Sequence, residues 1–135
     1  GVSQMQRLEE FVTARHKLAN GYNEKLADLP LVLPYQLPDT YSGLHLFVIR
    51  LRLDEIELTH NQVFDALRER GIGVNLHYIP VHTQPYYQDM GFADGDFPES
   101  ERYYREAISL PMFHGMSEAQ QDTVVETLTD ILQGR

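Results

Sequence analysis

The sequence predicts an α+β protein in which a small, mostly antiparallel sheet and its helices form a two-layer sandwich, preceded by a long N-terminal helix. Two observations predict this class. Apolar side chains recur every three or four residues along the first part of the chain and again near its end, as they do in amphipathic helices. Between these regions, short apolar runs bounded by Gly and Pro indicate a few strands.

Composition sets limits on what the chain can do. It has 135 residues and no cysteine, and 11 basic against 20 acidic side chains give a formal net charge of −9. This length predicts one domain. The absence of cysteine excludes a disulfide or a thiolate nucleophile, and the acidic balance argues against a nucleic-acid partner. Since no apolar run reaches the length of a membrane span and no signal-peptide pattern opens the chain, we expect a cytoplasmic protein with no membrane partner.

The first 27 residues predict one long helix that ends at Asp28 and Pro30. The chain begins with glycine rather than methionine and enters this helical pattern at once. We interpret this start as that of a fragment whose first helix packs on a missing domain. Its apolar stripe begins with Val2, Met5 and Leu8, and in a fragment such an exposed stripe favours self-association.

The rest of the chain predicts alternating elements. We expect, in order, an extended loop spaced by Pro30, Pro34 and Pro38, a strand at residues 44–53, a helix from Thr59 to Arg70, a strand at 72–78, a helix at 98–107, a strand in ISLPMF and a last helix from Ser117 to Leu132. Two of these helices open with Ser or Thr followed three residues later by Gln, the pattern of a capping box. Alternate residues of the strand at 44–53 are apolar, which predicts one buried face.

The densest group of chemically useful side chains lies at residues 75–87, N-L-H-Y-I-P-V-H-T-Q-P-Y-Y. The segment begins at the end of a predicted strand and continues into a loop, a position that commonly carries functional groups. Its His and Tyr rings offer flat faces for stacking and polar tips for hydrogen bonds. This combination suits a sugar or nucleotide ligand. The alternative is a structural loop whose aromatic rings pack on the sheet.

Other chemistry has weaker support in the sequence. His77 and His82 are close enough along the chain to converge on a metal, but no spacing marks a third ligand. Ser109 lies in ISLP, with no sharp turn to expose it as a nucleophile. The two lysines, Lys17 and Lys25, both fall on the first helix. We therefore find no good candidate for covalent attachment of a cofactor.

Four segments form a set that spans the chain in order. They are the helix GVSQMQRLEEFVTARHKLANGYNEKL, the strand HLFVIRL, the run LRERGIGVNLHYIPVHTQPYY and the stretch FPESERYYREAISLPMFHGMSEAQQDTVV. Together they resemble the C-terminal part of sugar aminotransferases of the DegT/DnrJ/StrS family. Within that family the likeness is strongest to the aminotransferases of pseudaminic acid biosynthesis. A match over essentially the whole chain is more specific than any single motif.

The resemblance implies the small domain of an aspartate-aminotransferase-like fold. Residues 1–28 would be the helix between two domains and residues 29–135 the C-terminal small domain, while the large domain with its pyridoxal phosphate (PLP) lysine would lie outside this chain. The parent enzyme is expected to be a cytoplasmic homodimer that transfers an amino group from glutamate to a keto sugar linked to UDP. The 135-residue chain alone is expected to hold no PLP covalently and to be inactive.

The resemblance also implies which residues contact the substrate, through the motif H-Y-x-P-x-H-x-Q-P-Y. These residues are His77, Tyr78, Pro80, His82, Gln84 and Tyr87. Their expected role is hydrogen bonding and stacking against the nucleotide sugar, and no residue of this chain is expected to be catalytic or to bind the cofactor or a metal. The residues alone leave a non-enzymatic alternative open, a stand-alone small-ligand-binding or regulatory α+β module.

Overall fold

A computed structural model of the chain describes residues 1–134. Its elements are α1 (Val2–Met5), α2 (Leu8–Lys25), β1 (Leu31–Val32), β2 (Phe47–Leu51), α3 (His60–Glu69), a short 3-10 helix (Val81–Thr83), α4 (Pro85–Gln88), α5 (Pro98–Glu106), β3 (Ala107–Leu110) and α6 (Glu118–Leu132). The strands form one antiparallel sheet in the order β1-β2-β3. Buried side chains of α2, α3 and α6 share one core with those of the sheet. The predicted α+β class is confirmed.

Three of the predicted helices are also confirmed. α3 and α6 each begin with a complete capping box, formed by Thr59 with Gln62 and by Ser117 with Gln120. In each box the hydroxyl accepts from a backbone N–H three residues on, and the glutamine side chain accepts from the N-cap backbone, so two free donors of the first turn are satisfied. α5 begins with Pro98, whose missing N–H costs nothing at the first helical position.

The first helix is not continuous, contrary to the sequence prediction. α1 ends at Met5, and Arg7 has a non-helical backbone with φ −109° and ψ 11° before α2 begins. The Arg7 guanidinium donates to both carboxylate oxygens of Glu10, at 3.0 and 2.9 Å, and lies 4.7 Å from the ring centre of Phe11. Residues 1–10 are all exposed, so no tertiary packing holds so short a first turn in line with α2.

The apolar stripe at the start of the chain has no cover in this structure. Val2, Met5 and Leu8 are all exposed, whereas the second half of α2 buries Leu18 and Tyr22. The N-terminal part of this helical region is therefore exposed to solvent, whereas the second half of α2 belongs to the core of the domain. Self-association through the exposed stripe stays a prediction.

The proline-spaced loop holds a short strand that the sequence prediction missed. Leu31 and Val32 pair with Leu51 and Arg50 at the end of β2. The backbone N–H of Arg52 also donates to the Pro30 carbonyl at 3.0 Å. Proline cannot donate to a ladder and is tolerated at sheet edges, which explains why this strand is short and lies at the edge.

The prediction of a strand at residues 72–78 is wrong. Only one isolated bridge forms there, between Asn75 and Ser109 of β3, through N–H to O contacts of 3.2 and 2.8 Å. The N–H groups of Ile72 and Val74 donate to carbonyls nearby in the chain, so these two donors are not available to a neighbouring strand. The segment therefore crosses the edge of β3 at one point and continues as a loop.

The core is centred on β2 and on Tyr22 of α2. Phe47, Ile49 and Leu51 of β2 are fully buried, as their alternation predicts. The Tyr22 ring lies 4.9 Å from that of Phe47, and its hydroxyl donates to the Pro111 carbonyl at 2.7 Å. Burial raises the pKa of Tyr22, so the phenol remains a neutral donor. One side chain thus joins α2 to the end of β3.

Helices α2 and α6 meet at Gly21 and Gln121. Gln121 is only 3% exposed, and its side-chain nitrogen donates to the Leu18 carbonyl at 2.7 Å. A Cβ placed on Gly21 would lie 2.5 Å from Gln121 Oε1. A side chain at this position must therefore displace the amide from its hydrogen bond, and only glycine lets the two helices approach so closely.

We expect Gly21→Ala to destabilise the protein. Alanine gains about 1 kcal/mol over glycine inside a helix, but displacing the buried Gln121 amide costs about 1–3 kcal/mol. The net loss, about 1 kcal/mol, is measured by urea denaturation. Asn20→Ala, at an exposed neighbouring position of the same helix, serves as the control and should be slightly stabilising. A Gly21→Ala variant as stable as the wild type would contradict this account.

Candidate functional site

The segment with the predicted substrate contacts belongs to what we call the site loop, residues 75–97. It leaves the edge of β3 at the Asn75 bridge, passes through the 3-10 helix and α4, and ends at the start of α5. The loop contains two histidines, both held by side chains of other elements. These two contacts, at the third and eighth residues of the loop, tie its first part to β3 and to α5 and give its polar groups defined positions.

His77 is held by β3 and presents one free nitrogen. Its Nδ1 lies 2.8 Å from the Ser109 hydroxyl, which is buried in the strand. Its Nε2 has no hydrogen-bond partner in the described part of the chain, and it is not among the buried atoms that lack one. One edge of the ring is thus anchored and the other is open to a ligand.

Tyr78 flanks His77. The two rings are nearly perpendicular, with centroids 4.7 Å apart and an interplanar angle of 82°. The Tyr78 side chain is 74% exposed. Since an exposed aromatic face next to a free imidazole N–H or N can stack on a flat ligand while the imidazole forms a hydrogen bond, this pair is the best-formed part of the candidate site.

His82 has a different environment from His77. It is 7% exposed, and its Nε2 donates to Glu101 Oε1 at 2.9 Å while its ring packs 4.8 Å from that of Phe97. Glu101 Oε1 also accepts from the Gly95 backbone N–H at 2.7 Å. These two hydrogen bonds, that of His82 first, hold the pKa of Glu101 below its ordinary value. His82 therefore closes the site loop onto α5.

The other three residues predicted to contact substrate, Pro80, Gln84 and Tyr87, are buried or half-buried. Pro80 is buried, and its carbonyl accepts from the Thr83 hydroxyl at 2.8 Å. Gln84 is half-buried, and its side chain forms no hydrogen bond within residues 1–134. Tyr87 is half-buried, with its ring edge-on to Tyr86 at 5.3 Å. Within residues 1–134, His77 Nε2 and the side chains of Tyr78, Gln84 and Tyr87 form no hydrogen bond, whereas Pro80 and His82 shape the loop. Substrate contact by any of the six stays a prediction.

Sequence reasoning missed two residues that organise this site. Ser109 was considered only as a nucleophile, although a polar residue in the apolar run AISLP already indicates a buried hydrogen bond. Glu101 carried no comparable signal, because it is one of two acidic residues in the first turn of α5 and only the fold brings His82 to it.

The lysines do not fit an attachment site for PLP. Lys17 is exposed on α2, and Lys25 Nζ lies 2.5 Å from Asp122 Oδ1 on α6. The hydrogen bond to Asp122 raises the pKa of Lys25 and keeps it protonated, whereas a Schiff base requires a neutral amine. We therefore derive no step through PLP from the residues of this chain.

Neither a cluster of metal ligands nor a membrane-spanning helix is found in the described part of the chain. Among residues 1–134, no group of three His, Asp or Glu side chains is placed to hold a metal ion. In the same range, no helix combines the length and the apolar character needed to cross a bilayer.

The closure of the site loop by Glu101 predicts a pH-dependent stability. Because the folded pKa of Glu101 is depressed, its contribution is present above the unfolded pKa, which is about 4.3 for glutamate, and is lost as the pH falls through the lower folded value. Glu101→Gln should be less stable than the wild type near neutral pH, and the difference should shrink on acidification. Chemical denaturation across this pH range measures it.

Glu99→Gln is the matched control for that experiment. Glu99 lies in the same helix but is exposed, and within residues 1–134 it pairs only with Arg102, at 2.6 Å. Exposed pairs of this kind contribute little. Equal pH profiles for the two variants would show that Glu101 does not hold the loop.

The chain is similar to known proteins along nearly its whole length. A model of the DegT/DnrJ/EryC1/StrS aminotransferase family matches residues 1–129. The spore coat polysaccharide biosynthesis protein SpsC of Bacillus subtilis is 34% identical over 137 residues, which cover 99% of this chain and 35% of SpsC.

Two solved structures share the fold. Streptococcus pneumoniae Spr1654 in its PLP form has a TM-score of 0.89 at 23% identity, over 99% of this chain and 34% of that one. Helicobacter pylori PseC, an aminotransferase involved in the biosynthesis of pseudoaminic acid, has a TM-score of 0.88 at 20% identity, over 99% of this chain and 36% of that one. The chain thus spans about a third of the length of these proteins. Because the family model matches nearly all of it, the chain belongs to the DegT/DnrJ/EryC1/StrS aminotransferase family.

Proposed function

We propose that this chain forms the small, nucleotide-sugar-binding domain of a PLP-dependent sugar aminotransferase. Residues 29–135 would make up the domain, and residues 1–28 the helix that connects it to a larger one. The observation that carries the proposal is the family match over residues 1–129. The similarity of the chain to SpsC, a spore coat polysaccharide biosynthesis protein, supports a sugar as the substrate.

The cofactor lysine is assigned to another part of the enzyme. PLP, when bound, supplies the electron sink for amino-group transfer. Both lysines of this chain lie on α2, and one of them is in an ion pair. Spr1654, which shares the fold, is described in a PLP form and is about three times as long as the matched region. We therefore place PLP binding outside these 135 residues.

The site loop is assigned to substrate binding, with glutamate as amino donor and a UDP-linked keto sugar as acceptor. His77 Nε2 and the exposed Tyr78 ring offer a hydrogen bond and a stacking face side by side. Residues 75–97 contain no Lys or Arg but three Asp. Because such a loop cannot neutralise a diphosphate, we assign it to the uncharged sugar or base, and the charged part to groups elsewhere in the enzyme.

Amino transfer by the complete enzyme tests this function. The protein that contains this chain is incubated with PLP, glutamate and a panel of UDP-linked keto sugars, and 2-oxoglutarate and the aminated sugar are measured. We expect both products in equal amounts, and none from the 135-residue chain alone. If glutamate fails to convert bound PLP to its amine form and no sugar is aminated, the proposal is wrong and a binding module takes its place.

His77→Ala tests the role of the site loop in that enzyme. Loss of one hydrogen bond to an uncharged ligand group costs about 0.5–1.5 kcal/mol, so KM for the keto sugar should rise roughly 3- to 10-fold with a smaller change in kcat. The control is His45→Ala, because His45 is exposed and forms no hydrogen bond within residues 1–134. An unchanged KM in His77→Ala would remove this residue from the site.

A further inference from the structure

We propose that Ser109 is a positioning residue that fixes His77 as a hydrogen-bond donor, so that this site takes an acceptor oxygen of its ligand. The statement about His77 stands on the geometry alone. Its consequence for the substrate rests on the function proposed above, since the keto sugar is the ligand to which it is applied.

Ser109 is held rigidly. It is 4% exposed in β3, where it pairs with Val48 of β2 on one side. On the other side it exchanges two backbone hydrogen bonds with Asn75, at 3.2 and 2.8 Å. Because Asn75 is only two residues before His77, the same bridge fixes the backbone that carries the imidazole. The hydroxyl and the ring therefore meet at a defined place rather than by chance contact on a surface.

The direction of the hydrogen bond follows from the partners available. Within residues 1–134, the Ser109 hydroxyl contacts a single polar group, His77 Nδ1, at 2.8 Å. A buried hydroxyl hydrogen without an acceptor is unfavourable, because it has lost its hydrogen bond to water and gained none in the protein. If Nδ1 carried the proton, the hydroxyl would accept and its own hydrogen would be left unpaired in the core. The arrangement that satisfies both groups has Ser109 donating to an unprotonated Nδ1.

The tautomer of His77 then decides what the site can bind. With Nδ1 as acceptor, the neutral ring carries its proton on Nε2, the nitrogen that is open to a ligand. His77 thus donates to an oxygen of the ligand, a carbonyl, hydroxyl or phosphoryl group, and does not accept from it. The second histidine of the loop, which is buried, is fixed in a comparable way, since His82 donates from Nε2 to the Glu101 carboxylate.

The first test measures the tautomer without any substrate. The ¹⁵N shifts of the His77 ring, assigned by comparison with His77→Ala, should show a protonated Nε2 and an unprotonated, hydrogen-bonded Nδ1. In Ser109→Ala the Nδ1 signal should lose its hydrogen-bond shift and the second tautomer should appear, whereas Ser109→Thr, which keeps the hydroxyl, should restore the wild-type pattern. A proton on Nδ1 in the wild type, or no change in Ser109→Ala, overturns the proposal.

The second test measures coupling in the complete enzyme. Ser109→Ala should raise KM for the keto sugar several-fold with a smaller change in kcat, and Ser109→Thr should recover most of the loss. When Ser109→Ala is combined with His77→Ala, KM should rise no further than in His77→Ala alone, because Ser109 acts only through the His77 ring. Additive effects overturn the positioning role. If the enzyme has no aminotransferase activity, the function proposed above fails, while the tautomer measurement still decides the state of His77.

Discussion

The buried strand β3 is the element on which the rest of the domain depends. All four of its residues, Ala107–Leu110, are buried. Its backbone pairs with β2 on one side and with Asn75 on the other. Its Ala107 carbonyl accepts from His60 Nε2 at 2.9 Å, which attaches the start of α3. Just beyond its end, the Pro111 carbonyl accepts from the Tyr22 hydroxyl of α2.

This arrangement explains how a loop can offer defined binding groups. Two polar contacts of low exposure, between Ser109 and His77 and between Glu101 and His82, hold the site loop at β3 and at α5. Polar contacts of this kind are stabilising only when every member is satisfied, so each constrains both position and protonation state. The exposed groups between them, Tyr78 above all, are therefore carried by a backbone that is held on both sides. On the proposed function, this part of the loop does not need to become ordered when the substrate binds.

Family membership and the charge of the loop together narrow the proposed role. The chain belongs to an aminotransferase family and covers about a third of its relatives' length. Its site loop has no Lys or Arg, and the chain has a formal charge of −9. On the proposed function, this domain recognises the uncharged part of the nucleotide sugar by shape and hydrogen bonding. The attraction for the diphosphate and the chemistry of the amino group are assigned to the remainder of the enzyme.

The sequence by itself determined the class of the fold and most of its helices. The local signals for α3, α5 and α6, two capping boxes and a first-position proline, act within a few residues, and each helix begins where they predict. The alternation of Phe47, Ile49 and Leu51 likewise predicted a buried face of β2. The motif residues of the site loop could be proposed together because they lie close in sequence, and their contact with substrate stays a prediction.

Tertiary structure decided the features that depend on partners distant in sequence. Whether residues 31–32 and 72–78 form strands depends on which edges β2 and β3 leave open, and local alternation does not contain that information. The different roles of His77 and His82 were equally invisible, because Ser109 lies 32 residues from one and Glu101 19 residues from the other. Whether an imidazole keeps one ring nitrogen free, as His77 does, or is buried against a carboxylate, as His82 is, depends on what lies beside it in the folded chain.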